Sequence, residues 1–216
     1  MPLNFHYAAH TYLDNWVECD RYARSILDFG SDSPVGIEQA CKQIALVANI
    51  YGIAPNFSKD SEKQALRYSP VWTAVALIKN RPASEQDAKD CVGQLVEALK
   101  PIYGLNLWSA ASKLLWMRFG KPIVIYDSLA WKWMCNNGEL SERDGSYSKF
   151  YDAWRMSFRK YENDVDSACS DLRKTDARRF LCPFDLKDVE FEPLVSSDWF
   201  AERVFDHAVV NEIAMG

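Results

Sequence analysis

The chain has 216 residues, of which 48% are hydrophobic and 25% are charged, and it carries a formal net charge of -5. These proportions are those of an ordinary globular protein and argue against a disordered one. The acidic balance argues against a protein that coats duplex DNA through spread-out positive charge, although an enzyme with one local basic face remains compatible with it.

Apolar residues recur at helical spacing throughout the first half of the chain. The pattern predicts helices over residues 7–28 and 35–50, with glycine and proline after each. A short helix follows within residues 60–78. Ser84 then has the character of an N-cap, at the start of a helix that stops near Pro101 and Gly104.

The second half continues this alternation of helix and turn. A helix is predicted over residues 109–119, and the apolar segment KPIVIY (121–126) is the one good strand candidate. Asp127 then caps another helix. Residues 139–180 are polar and predict a turn and two charged helices, and a looser segment precedes a final helix over residues 197–214. The whole pattern predicts an all-α fold.

Six cysteines are scattered along the chain with no CxxC pair and no neighbouring histidine. This spacing predicts neither a zinc site nor an iron–sulfur cluster, and it favours reduced thiols. The first residues lack the basic and apolar regions of a signal peptide, and no apolar run has the length of a membrane span. We therefore expect a cytoplasmic protein without a metal, a cofactor or a membrane partner.

The centre of the chain combines two helices, a tight turn between them and a following carboxylate. Backbone amides at the start of the second helix, near residue 108, are suited to bind one DNA phosphate without a basic side chain. Asp127 lies at the start of the next helix, where the helix dipole stabilises negative charge. A preorganised carboxylate suits a reaction in which positive charge develops on a sugar ring.

The run from Ser109 to Asp127 resembles the HhH-GPD DNA glycosylases, the group of endonuclease III and the adenine mismatch glycosylases. In that family a hairpin leads into a helix, then into an FG-x-P-like loop (here residues 119–122) and then into an aspartate that caps the next helix. The resemblance covers about residues 88–140. It implies that Asp127 is the catalytic carboxylate, and Ser109 falls where bifunctional members carry their Schiff-base lysine. The family hairpin usually reads LPGVG, whereas this chain has YGLNLW.

Several side chains near this run are further candidates for the site. Lys113, one turn beyond Ser109, is either a displaced nucleophile or a solvated or phosphate-facing residue. Tyr126 and Trp131 either pack in the core or stack on an extruded base. A basic region at residues 155–179 is either a solvated face or a set of phosphate contacts. The expected DNA contacts are Leu107, Trp108, Ser109, Lys113 and Lys121.

These observations predict one helical domain over residues 1–216, with two lobes around a cleft and with the hairpin and Asp127 at its mouth. The function implied by the resemblance is a monofunctional DNA glycosylase that flips out a modified base and leaves an abasic site. A further hypothesis is that it removes hypermodified bases from phage DNA as an antiviral defence. The alternatives are a non-catalytic helix-hairpin-helix module that binds DNA or protein, and a plain helical interaction protein, which the acidic pI favours.

Overall fold

The computed structural model describes residues 3–27, 36–57, 67–104, 107–141, 146–174 and 187–215, without the side chains of residues 188 and 189. Every regular element in these ranges is helical, which confirms the predicted all-α class. The helices are α1 Phe5–Asn15, α2 Arg21–Leu27, α3 Ile37–Ile50, α4 Ser69–Leu77, α5 Glu85–Tyr103, α6 Trp108–Phe119, α7 Ser128–Asn136, α8 Tyr147–Lys174, α9 Asp188–Val195 and α10 Asp198–Met215. A π-helical segment, Trp16–Asp20, joins α1 to α2, and a 3-10 turn, Ala54–Asn56, follows α3.

The chain divides into two compact units. The terminal unit comprises residues 1–21, 127–144 and 149–216, and the central unit comprises residues 22–126 and 145–148. In the terminal unit, α1 and α7 both pack against α10. In the central unit, α3 packs on α4, α4 on α5, and α5 on α6. The predicted cleft between two lobes stays a prediction.

Local capping signals account for both ends of α5. The Ser84 hydroxyl accepts from the Asp87 N–H at 3.1 Å, and the Asp87 carboxylate accepts from the Ser84 N–H at 3.0 Å. Gly104 ends α5 with a φ of 68°, in the left-handed region that favours glycine. The predicted capping is confirmed. Of the two predicted end points, the helix passes through Pro101 and ends at Gly104.

The strand prediction for residues 121–126 is wrong, because no strand occurs anywhere in the described ranges. The β-branched residues of this segment, Ile123 to Ile125, are buried but run as an extended connection without a neighbouring strand. High β-propensity reflects a fit to a packed, half-buried surface, and here helices supply that surface.

Two predictions for the last third of the chain are also wrong. The polar stretch predicted to hold two helices forms the single helix α8 as far as Lys174, because its buried residues recur at helical spacing along its whole length. The segment around Pro193, predicted to be loose, belongs to α9. Pro193 lies near the end of that helix, where its missing N–H removes only one backbone hydrogen bond.

Large aromatic side chains fill the interior of the terminal unit, with Phe205 of α10 at their centre. The Phe205 ring lies 5.4 Å from that of Trp154 and 6.1 Å from those of Trp133 and Tyr161, measured between centroids. Contacts of this kind stabilise a core beyond the effect of buried area alone. The cluster fixes α7, α8 and α10 against one another.

Candidate functional site

The extended segment 123–126, which precedes the predicted catalytic residue, is held by side chains rather than by a neighbouring strand. It is buried, so its backbone groups need partners inside the protein. The Tyr147 hydroxyl donates to the Val124 carbonyl at 2.6 Å and accepts from the Val124 N–H at 3.2 Å. The Ser112 hydroxyl accepts from the Tyr126 N–H at 2.9 Å. These bonds fix the backbone up to the residue before the aspartate.

Asp127 is the N-cap of α7. Its backbone is extended, with φ -128° and ψ 140°, and its Oδ1 accepts from the Leu129 N–H at 2.8 Å. The side chain is half-buried and lies at the positive end of the helix dipole, which stabilises negative charge. The predicted cap is confirmed, and the catalytic role of Asp127 stays a prediction.

A second carboxylate, that of Asp206 on α10, lies within electrostatic reach of Asp127. Burial raises the pKa of Asp206 to about 6. The positive charge of Arg203 and a hydrogen bond from Trp154 oppose this rise, whereas the negative charge of Asp127 adds to it. Trp154 Nε1 donates to Asp206 Oδ1 at 2.5 Å, and Arg203 Nη1 donates to Asp206 Oδ2 at 2.5 Å. The charge of the half-exposed Asp127 therefore reaches the enclosed carboxylate of Asp206.

The Arg203 guanidinium also faces a buried aspartate in the π-helical segment. Asp20 is fully buried, and its Oδ2 lies 4.0 Å from Arg203 Nε. The Tyr12 hydroxyl donates to Asp20 Oδ2 at 3.1 Å, and Asn15 Nδ2 donates to Oδ1 at 2.9 Å. Buried charges need such partners, and π-helical turns are frequent at functional sites. Behind α7 there is thus a network of buried ionisable groups.

Sequence reasoning did not single out Asp20, Arg203 or Asp206. A signal was present in the last helix, where Arg203 and Asp206 are three residues apart in a helix whose apolar residues cover most of its faces. A charged pair in such a helix has to be buried and paired. The apolar residues concerned are Phe200, Val204, Phe205, Ala208 and Val209.

The predicted DNA contacts lie on α6 and the segments that flank it, in the central unit. Leu107 is buried, and Ser109, Lys113 and Lys121 are half-buried. Ser109 and Lys113 occupy successive turns of one face of α6, as predicted. Residues 105–106 of the hairpin turn lie outside the described residues, so the phosphate-binding turn stays a prediction.

Two of the aromatic candidates, Trp108 and Trp131, are packed against other rings. The Trp108 ring is half-buried and stacks on that of Tyr147 at 6.2 Å. Trp131, in the terminal unit, is 1% exposed and stacks on Phe150 at 6.0 Å. Tyr126, in the central unit, is also buried. The structure favours the core-packing alternative for Tyr126 and Trp131, and their stacking on a base stays a prediction.

Three of the basic residues of α8 form ion pairs with carboxylates. Such pairing favours the solvated or structural alternative over phosphate contacts for this region. Arg178 and Arg179, which belong to the same predicted basic region, lie outside the described residues. The ion pairs are Arg155 with Glu202, Lys160 with Glu139 and Lys174 with Asp171.

Comparisons with known proteins leave the family open. No protein-family model, curated protein or solved structure matches this chain significantly. Within the described ranges, no group of three or more His, Cys, Asp and Glu side chains is placed to hold a metal ion. In the same ranges, no helix has the length and apolar character to cross a membrane.

Proposed function

We propose that the protein is a monofunctional DNA glycosylase with Asp127 as its catalytic carboxylate. The observation that carries this proposal is the order of the elements around that residue. The packed helices α5 and α6 lead into a buried segment with a fixed backbone, and this segment ends at an aspartate that caps α7. The same order characterises the glycosylase family that residues 88–140 resemble.

In the proposed reaction, the target nucleotide leaves the base stack before its glycosidic bond breaks. The Asp127 carboxylate stabilises the positive charge that develops on the sugar and orients or deprotonates the attacking water. Hydrolysis leaves an abasic site. Because Ser109 occupies the position of the Schiff-base lysine, no covalent intermediate forms and the strand is not cleaved by that route.

The buried network behind α7 is linked to Asp127 through electrostatics. Asp206 does not meet the substrate in the proposed mechanism, since its carboxylate is enclosed by Trp154 and Arg203. The negative charge of Asp127 nevertheless reaches this carboxylate and helps to raise its pKa.

The proposed substrate is a bulky hypermodified base in phage DNA, so that abasic sites form in foreign DNA as a defence. Two features motivate this choice: the hairpin YGLNLW departs from the family pattern, and the chain is rich in aromatic residues, including eight tryptophans. Ordinary oxidised, alkylated or mismatched bases are the alternative substrates. Both classes belong in the test.

The test is abasic-site formation on a panel of genomic DNAs, unmodified and phage-modified, with wild type and Asp127→Asn. Asparagine caps a helix about as well as aspartate, so this variant removes the charge and keeps the fold. We expect abasic sites with the wild type and a loss on the order of 100-fold in the variant. Borohydride should trap no covalent complex. Equal activity of the two proteins would contradict the role of Asp127.

One observation favours a second candidate function, the non-catalytic module that binds DNA or protein. The Asp127 carboxylate already has a structural use, since it accepts a hydrogen bond from Leu129. If capping is its whole role, Asp127→Asn binds its partner as the wild type does, and neither protein forms abasic sites on any DNA of the panel.

A further inference from the structure

The terminal unit contains a cavity of about 830 Å³ that involves none of the proposed glycosylase residues. It lies between the start of α1, the middle of α8 and the end of α10, so three helices form its walls. Its volume is in the range of small-molecule binding sites. The side chains that matter for its chemistry are Phe5, Tyr7, Tyr161, Asp164, Glu212 and Met215.

One wall of this cavity is preorganised. The Tyr161 ring packs against Phe5 at 5.6 Å and against Phe205 at 6.1 Å. Trp133 Nε1 donates to Glu212 Oε2 at 2.8 Å and so orients that carboxylate. Glu212 is thus an oriented carboxylate beside an aromatic wall that is already in place.

The charge of the lining selects among ligands. Two carboxylates, those of Asp164 and Glu212, line the cavity, and no described lining residue is Lys or Arg. The lining also includes a histidine, His6, whose Nδ1 lies 3.6 Å from Asp171 Oδ2. A phosphate or carboxylate ligand would meet negative charge at this site. A cation would meet two carboxylates together with the rings of Tyr7 and Tyr161, which attract positive charge.

We propose that this cavity binds a small organic cation with an apolar body and a planar amidinium or guanidinium head. The planar head matches carboxylate geometry and stacks on aromatic rings better than an ammonium does. The body fills the space between Phe5 and Met215. The ligand is a free small molecule, since the site is a half-open cavity walled by three helices. DNA is excluded from this site by its charge.

The test uses benzamidine, with neutral benzamide and anionic benzoate as matched controls of the same shape. Chemical-shift titration of the protein at pH 8, up to about 10 mM, covers the affinity expected for so small a ligand. We expect benzamidine to shift signals of α1, α8 and α10, benzamide to bind about tenfold more weakly, and benzoate not to bind. Equal binding of benzamidine and benzamide, or no binding of benzamidine, would overturn the proposal.

Variants then locate the site. Asp164→Asn removes an exposed charge, and Glu212→Gln removes a charge but keeps an acceptor for Trp133. Each should weaken benzamidine binding by roughly three- to tenfold. Asp166→Asn is the matched control, because Asp166 is exposed on the same helix and does not line the cavity. If Asp164→Asn and Asp166→Asn bind alike, the cavity is not the site. Asp164→Asn keeps this test decisive even if Glu212→Gln fails to fold.

Discussion

Arg203 is a buried cation in the interior of the terminal unit. It is 8% exposed, and its guanidinium lies beside two aspartates, Asp20 and Asp206. Removal of one partner of a buried ion pair typically costs about 3–5 kcal/mol, because the other charge is left without compensation. An arginine suits this position because its planar fork donates in several directions at once.

The influence of Asp127 on Asp206 gives a prediction at the level of single carboxyl groups. The negative charge of Asp127 helps to raise the pKa of Asp206. Asp127→Asn should therefore lower that pKa, and a carbon-detected NMR titration of the Asp206 carboxyl measures it. Asp152→Asn, an exposed change on α8, is the control and should leave the value in place. An unchanged pKa in Asp127→Asn would show that the two groups do not interact.

His207 gives a pH dependence of stability with a definite sign. Burial, with a smaller effect from the charge of Arg203, lowers the pKa of His207 from 6.5 to about 3. Below pH 6.5 the unfolded chain takes up a proton that the His207 ring of the folded protein does not, so stability falls as the pH falls towards 3. Between pH 7.5 and pH 4.5 this effect lowers the free energy of unfolding by about 3 kcal/mol. Asp206 acts in the opposite direction, because its raised pKa favours the folded state as the pH falls.

The two effects are separated by variants compared with the wild type. Urea unfolding at pH 7.5 and pH 4.5 should show that His207→Gln loses about 3 kcal/mol less than the wild type over this interval. His10→Gln, a change at an exposed histidine, should follow the wild type. The same pH dependence in all three proteins would mean that His207 is protonated in the folded state.

At the scale of elements, Gly120 links α6 to the segment that leads to Asp127. Its φ is 67°, and a Cβ there would lie 2.9 Å from Arg24 Nη1. The arginine head is the end of a flexible side chain, so the main penalty is in the backbone. With ψ at -141°, Gly120 lies in a region that is almost restricted to glycine, which costs another residue about 1–3 kcal/mol. We expect Gly120→Ala to lower the free energy of unfolding by that amount, measured with urea.

Gly93 is the matched control for this change. It lies inside α5, and a Cβ there would meet nothing within 4 Å. Gly93→Ala should therefore raise the free energy of unfolding by up to about 1 kcal/mol, since alanine is the better helix former. The same sign for both variants would contradict the conformational argument.

Helix ends were predictable from sequence because their causes are local. The caps at Ser84, Gly104 and Asp127 each depend on residues within one turn. The segment 121–126 was mispredicted because its backbone partners, Tyr147 and Ser112, are distant or unremarkable in sequence. The hydrogen-bond partners of a buried extended segment depend on the tertiary structure, and residue propensities do not identify them.

The candidate site was predictable only in part, for a related reason. The position of Asp127 at a helix start follows from its own neighbours. The network of Asp20, Arg203 and Asp206 joins residues almost two hundred positions apart, and only the packing of α1 against α10 brings them together. The π-helical turn that carries Asp20 has no sequence signal that we recognised.

For the whole molecule, the charge balance limits how it can hold DNA. The formal net charge is -5, and three basic residues of α8 are paired with carboxylates. Binding in the proposed function therefore depends on backbone amides near the start of α6 and on the two lysines predicted to contact DNA, Lys113 and Lys121. The logarithm of the affinity should fall with the logarithm of salt concentration with a slope of only about -1 to -3, as measured by fluorescence anisotropy. A slope near -6 or steeper would reveal an extended basic face.

The most direct measurement is the number of abasic sites that the wild type and Asp127→Asn form in phage-modified DNA, at equal concentration and with melting temperatures shown to agree. We expect abasic sites to accumulate with the wild type and to fall on the order of 100-fold with the variant. No abasic sites with the wild type on any DNA, or equal numbers with both proteins, would contradict a glycosylase that acts through Asp127.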